Sequence, residues 1–157
     1  MRFPIGHQIV DKRQIGGDIT NTFWGWRAHI LPFVEQNNVH EEFDFTARPV
    51  EINLHTTEIP SFVCPSDPDI NKTFVIQFGV LCSQSNHVGC GGSVEQSYIP
   101  FLDYYDGVLT QARDSRSHGR AMRDISDGKS STFLFGETKG TTTWPSGIHT
   151  PFRVQIR

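Results

Sequence analysis

"ISDGKSSTFLFGE", residues 125–137, decides between two folds. Read as the tail of a phosphate-binding loop, Gly128-Lys129-Ser130 would stand between a strand and a helix of a nucleotide-binding domain. Read as a turn, Asp127-Gly128 feeds a strand with Phe133 and Phe135 on one face and Leu134 on the other. A phosphate loop needs glycine five positions before its Gly-Lys, and Arg123 stands there. It also needs a helix behind it, whose dipole and free amides face the phosphates, yet "SSTFLFGE" has the period of a strand. The sequence therefore predicts a turn and a strand, and Gly128-Lys129-Ser130 carries no nucleotide chemistry.

Working outward, "KTFVIQFGVL" (72–81), "QSYIPFL" (96–102) and "TPFRVQIR" (150–157) also read as strands, with no helical period between them. Such a run predicts an antiparallel sheet over about residues 72–157. The one helical period lies upstream, in "NTFWGWRAHILPFVEQNNVHEEF" (21–43), where Phe23, Trp26, Ile30, Phe33 and Val34 recur on a single face. Asn21 or Thr22 is placed to cap its start. Pro32 lacks an N–H and clashes one turn back, so a break is expected between Ile30 and Phe33. The fold class is α+β: an N-terminal helical part, about residues 20–60, packed on an antiparallel sheet, in one loop-rich domain of 157 residues.

Seventeen acids against fourteen bases, net charge -3, leave no basic stripe for phosphate contacts, so nucleic acid is excluded as a partner. No run reaches the ~18 apolar residues of a membrane span. Cys82 and Cys90 flank "SQSNHVG", a polar loop short enough for a disulfide to pin its ends in an oxidising compartment; Cys64, after an apolar pair, reads as a buried thiol.

Asp124 and Asp127 in "DISDG" offer carboxylates to calcium, although the alternation of a calcium-binding loop is missing and a plain turn competes. The seven histidines (7, 29, 40, 55, 87, 118 and 149) make no metal motif. Cys64 is a conceivable thiol nucleophile, but Pro65 denies it a helix N-terminus. Glu137 closes an apolar run and is expected to be partly buried with a partner. Trp24, Trp26, Trp144, Tyr98, Tyr104 and Tyr105 suit either a sugar-stacking platform or a core. No catalytic constellation emerges, and the chain reads as a non-enzyme.

Several of these stretches occur in a fixed order: "RFPIGH" (2–7), "WGWRAHILPFVEQ" (24–36), "FVCPSDP" (62–68), "RDISDGKSSTFLFGE" (123–137) and Trp144-Pro145. The order resembles the bacterial prepilin-like proteins, which begin with a type IV pilin cleavage/methylation helix and often end in a His-x9-Asp-Gly element. The positions carrying the resemblance are Trp26, Pro32, Glu35, Cys64, Pro65, Asp67, Asp127, Gly128 and Glu137. It implies a structural subunit of a type II secretion or type IV pilus-like system, a pseudopilin-like head on the periplasmic or extracellular face of the cell envelope. Its partners are then other pilin-like subunits or secretion machinery. It touches the membrane only through an apolar N-terminal helix, which the chain from Met1 lacks; Met1 looks like an engineered start, and the end stops short of His-x9-Asp-Gly. Some pseudopilin heads hold calcium, which adds to the case for Asp124 and Asp127; no other cofactor is implied. The competing expectations are a carbohydrate- or ligand-binding module, resting on the aromatic set, and a hydrolase using Cys64 or Glu137.

Overall fold

Pro32 sets the path of the N-terminal part. In the computed structural model, which describes residues 1–9, 23–47, 56–68, 75–77, 80–91, 107–112, 118–126 and 128–143, helix α1 covers only Trp26–Ile30. The chain then tightens into a 3-10 turn, Leu31–Val34, with Pro32 in its first positions, where the missing N–H costs nothing. Glu35 ends that turn in the left-handed region at φ 61°, donating its N–H to the Leu31 carbonyl, and α2 (Asn37–Glu41) follows. The expected break at Pro32 is present.

Two neighbouring expectations fail. Phe23 belongs to a strand, β2 (Phe23–Gly25), and the N-cap of α1 is Gly25, so Asn21 and Thr22, which lie outside the described residues, are not at the helix start. Phe33 is 85% exposed. A 3-10 turn advances about 120° per residue against 100° for an α-helix, so the positions after Leu31 rotate away from an extrapolated helical stripe.

β1 (His7–Ile9) pairs antiparallel with β2, matching Gln8 to Trp24, and parallel with β6 (Gln111–Ala112), giving the order β2-β1-β6. β3 (Val75–Gln77) and β4 (Val80–Cys82) form an antiparallel pair. β5 (Gln84–Gly89) pairs antiparallel with β7 (Phe135–Thr143), and the register shifts between Ser85 and His87. The fold is mixed α+β, with short helices and small sheets. Among the described residues the strand pairings are antiparallel apart from β1 with β6. "QSYIPFL" and "TPFRVQIR" lie outside the described residues.

One core cluster joins Leu31, Val39, Ile59 and Phe62, with Ile30, Val34 and Phe43 packed against it. Phe62 enters from a 3-10 turn, Pro60–Phe62. Residues 107–110 run beside the end of β5: Gly107 N–H donates to the Gly91 carbonyl and Leu109 N–H to that of Cys90. Leu109 is thereby held over Gly89 and beside the Trp26 indole, all three buried.

The decisive stretch is a turn and a strand. Gly128 adopts φ 89°, a conformation open chiefly to glycine, and Lys129–Ser131 form one 3-10 turn whose last N–H returns to the Gly128 carbonyl. β7 starts four residues later.

Candidate functional site

Strand β5 carries the densest polar arrangement among the described residues. Ser83, Gln84, Ser85 and Asn86 are all buried, which a strand tolerates only when their polar atoms find partners. Asn86 shows how. Its Oδ1 accepts the backbone N–H of Cys64 at 2.7 Å, and its Nδ2 donates to Asp67 Oδ2 at 2.8 Å and to the Thr138 carbonyl at 3.3 Å. One side chain, 1% exposed, thus fastens the Cys64-Pro65-Ser66-Asp67 turn to β5 and to β7. The turn closes on itself through Asp67 N–H to the Cys64 carbonyl at 3.1 Å.

His87, the next residue, faces other neighbours. Its Nδ1 lies 3.1 Å from the Phe62 carbonyl, which is an acceptor, so Nδ1 carries the proton. Nε2 then points towards Glu137 Oε1, 3.9 Å away on β7, where Glu137 is the cross-strand partner of His87. The His87 carbonyl accepts a hydrogen bond from Arg27 Nη2 of α1. Arg27 is 1% exposed, and its guanidinium lies 5.1 Å from the Trp26 ring centroid. Burial pushes its pKa down to about 9, which still leaves it charged at neutral pH. Trp26 in turn stacks on Phe135 at 5.1 Å and 19° and tilts against Phe62 at 6.3 Å.

The predicted positions can now be placed. Trp26, Cys64 and Asp67 meet around β5, while Pro32 and Glu35 shape the turn between the helices. Glu137 is not partly buried as expected: its side chain is 65% exposed. Phe133, Phe135 and Glu137 alternate onto one face of the β7 segment, and that face is the outer one, leaving Leu134, Gly136 and Thr138 inward. The side chain it approaches across the strands is the His87 imidazole, at 3.9 Å.

The disulfide expectation is also overturned. Cys90 is a free thiol, as is the half-buried Cys64, and the side chain of Cys82 lies outside the described residues. Of the supposed loop "SQSNHVG", Gln84–Gly89 is β5, whose six extended residues separate its ends by roughly 16 Å, more than a disulfide spans.

Asp124 works locally. Its Oδ2 accepts the Ala121 N–H at 2.8 Å while its own N–H donates to the Ala121 carbonyl at 2.9 Å, closing the 3-10 turn Met122–Asp124. Asp127 lies outside the described residues. Asp124→Ala is expected to lower stability by about 1 kcal/mol through the lost cap, measured by urea denaturation. A calcium requirement at Asp124 would instead appear as a loss that depends on added calcium. Among the described residues no three His, Cys, Asp or Glu side chains converge as metal ligands.

Trp24 and Trp26 are 1% and 5% exposed, so neither belongs to a sugar-stacking surface. Trp144, Tyr98, Tyr104 and Tyr105 fall outside the described residues. Sequence reasoning missed Asn86, His87 and Arg27. The available signal was "SNHVG", where an amide and an imidazole precede Val88 and Gly89 in a stretch able to form an extended strand.

The family described as "Protein of unknown function (DUF1559)", SBP_bac_10, matches residues 1–154. The chain belongs to this family. The match takes in every residue of the β5 node, from Arg27 on α1 to Thr138 on β7, so in this DUF1559 chain the node lies within the family's own extent. No curated protein and no solved structure matches the chain.

Proposed function

We propose that this DUF1559 chain is the head of a pseudopilin-like subunit, a structural component of a type II secretion or type IV pilus-like assembly in the cell envelope. In this reading the helical N-terminal part continues an apolar anchoring helix, and the β-rich part is the periplasmic or extracellular head. The observation that supports it most is how the ordered motifs are spent. Asp67 and the Cys64 backbone bond to Asn86, Trp26 packs on Phe135 and Phe62, and Arg27 bonds to the His87 carbonyl, so these residues hold segments of the fold to one another. A packing and assembly subunit needs such fastening and needs no acid–base pair.

The outer surface adds support. Phe33 and Phe133 are 85% and 58% exposed, aromatic area of the kind that subunit contacts cover. The partners are then further pilin-like subunits or secretion machinery. A calcium ion at Asp124 and Asp127 would share Asp124 with the cap of its own turn.

The test is photo-crosslinking in the native host, from a benzoylphenylalanine placed at Phe33 of the full-length gene product. The expected result is a membrane-fraction adduct with a second copy or another envelope subunit. A gene with no apolar helix encoded before Arg2, together with a soluble, uncrosslinked product, would overturn the reading.

A further inference from the structure

Five rings gather on the side of α1 away from the β5 node. His29 stacks on Phe45 at 4.9 Å and 15°, and His40 of α2 tilts on the same ring at 5.3 Å. Phe45 meets Phe43 edge-on at 5.8 Å, and Trp24 contacts both, at 4.8 Å to Phe43 and 5.1 Å to Phe45. The same turn holds the Trp24 indole by a polar bond: Nε1–H donates to the Ala47 carbonyl at 2.9 Å. Gln8 of β1 reaches the Phe45 carbonyl at 3.5 Å.

The neutral imidazole suits this place and the charged one does not. His29 Nε2 is buried with no hydrogen-bond partner, so protonating both ring nitrogens would bring a charge into an aromatic stack with an N–H that has no acceptor. The charged groups on the packed elements do not compensate. Glu41 and Glu42 of α2 are exposed, and Asp44 turns its carboxylate onto the Thr46 N–H at 2.8 Å and the Thr46 hydroxyl at 2.5 Å. Arg27, on α1 itself, faces β5. Burial, and then the positive charge of His40, lower the His29 pKa to about 4.

We propose that His29, stacked on Phe45 between α1 and α2, forms an acid-operated latch whose protonation releases α2 and the 43–47 turn from α1 and uncovers Trp24. Above the ordinary histidine range the stack is neutral and closed. As pH falls from about 6.5, protonation is resisted by the closed form and taken up by the open one, so opening grows until the closed-form value near 4 is passed. The β5 node, which contains no member of the stack, stays assembled. The latch does not depend on the assembly reading, because it follows from the stack alone.

The test uses 19F NMR of the protein labelled with 5-fluorotryptophan, with Trp24→Phe to assign the resonance. On acidification from pH 7 to 4 the Trp24 signal is expected to move reversibly to a solvent-exposed shift while the Trp26 signal stays. In His29→Gln the midpoint moves down by about one pH unit or more. The imidazole resonances of the wild type give a second measure: His29 titrates together with the Trp24 transition. The proposal is overturned if the Trp24 and Trp26 signals move together, if His29→Gln keeps the wild-type midpoint, or if His29 titrates as a free imidazole with Trp24 unmoved.

Discussion

Asn86→Ala is expected to reduce the free energy of unfolding by about 3–4 kcal/mol, on the order of a third of what a domain this size has to lose. The amide is 1% exposed and uses its oxygen and both donor positions on Cys64, Asp67 and Thr138. Truncation leaves the Cys64 N–H and Thr138 carbonyl facing a small cavity, and each buried polar group left without its partner costs about 1–3 kcal/mol. Asn86→Asp separates shape from charge. It keeps the volume but sets a second carboxylate where Nδ2 stood, 2.8 Å from Asp67 Oδ2. Two carboxylates so close raise the pKa of one of them. A group whose folded pKa is raised favours the fold while protonated, so this variant is most stable in acid and loses stability as pH rises through the raised value. Urea denaturation of both variants at pH 4 and 7 measures this. A pH-independent Asn86→Asp, or an Asn86→Ala within about 0.5 kcal/mol of wild type, would show that the node carries little.

The second large effect is at Gly89. A methyl group there would meet Leu109 Cδ1 at 2.3 Å and Trp26 Nε1 at 2.8 Å. Neither neighbour has room to give way, since Leu109 is 4% and Trp26 5% exposed, and Trp26 is held by Phe135, Phe62 and Arg27. Gly89→Ala is expected to cost about 2 kcal/mol and Gly89→Val about 3 kcal/mol or more, with Trp26 forced off its stack on Phe135. Leu109→Ala should relieve part of the Gly89→Ala cost in a double-mutant cycle, because it removes the nearest obstructing atom. Strict additivity of the two substitutions would place the obstruction elsewhere.

Much of the local structure was legible in the sequence because it follows from residue chemistry at short range. Pro32 dictates where the helix gives way, Gly128 permits the positive φ that opens the turn, and the alternation of "STFLFGE" marks a strand. What periodicity cannot supply is the direction a face points. Phe33 fits a helical stripe, yet the 3-10 turn behind Pro32 carries it to the surface. Phe133 and Phe135 share a face as expected, but that face is outside, and Glu137 goes with them.

The site was harder to read for a different reason. Hydrophobic patterning finds buried strands by their apolar residues, and the buried stretch that leads into β5 begins Ser83-Gln84-Ser85-Asn86. Such a segment looks like a loop because its burial is made possible by partners at residues 64, 67 and 138, which no local window contains. "CPSDP" carries turn-forming residues, but nothing near it in sequence names its attachment point, Asn86. The disulfide expectation failed for the same reason: two cysteines bracketing a polar run suggest a loop, whereas Gln84–Gly89 of that run is an extended strand and Cys90 is a free thiol.

The Asn86 node also governs the order in which the chain can acquire its structure. Its three bonds span sequence separations of 22, 19 and 52 residues, and the longest waits for Thr138. A growing chain that has produced β5 but not β7 holds a row of buried polar groups without their β7 partners, and closing so long a loop is slow relative to local turns. Maturation is therefore expected to be gated by the arrival of the "FLFGET" segment, with the shorter β5 fragments remaining open to proteases and chaperones until then.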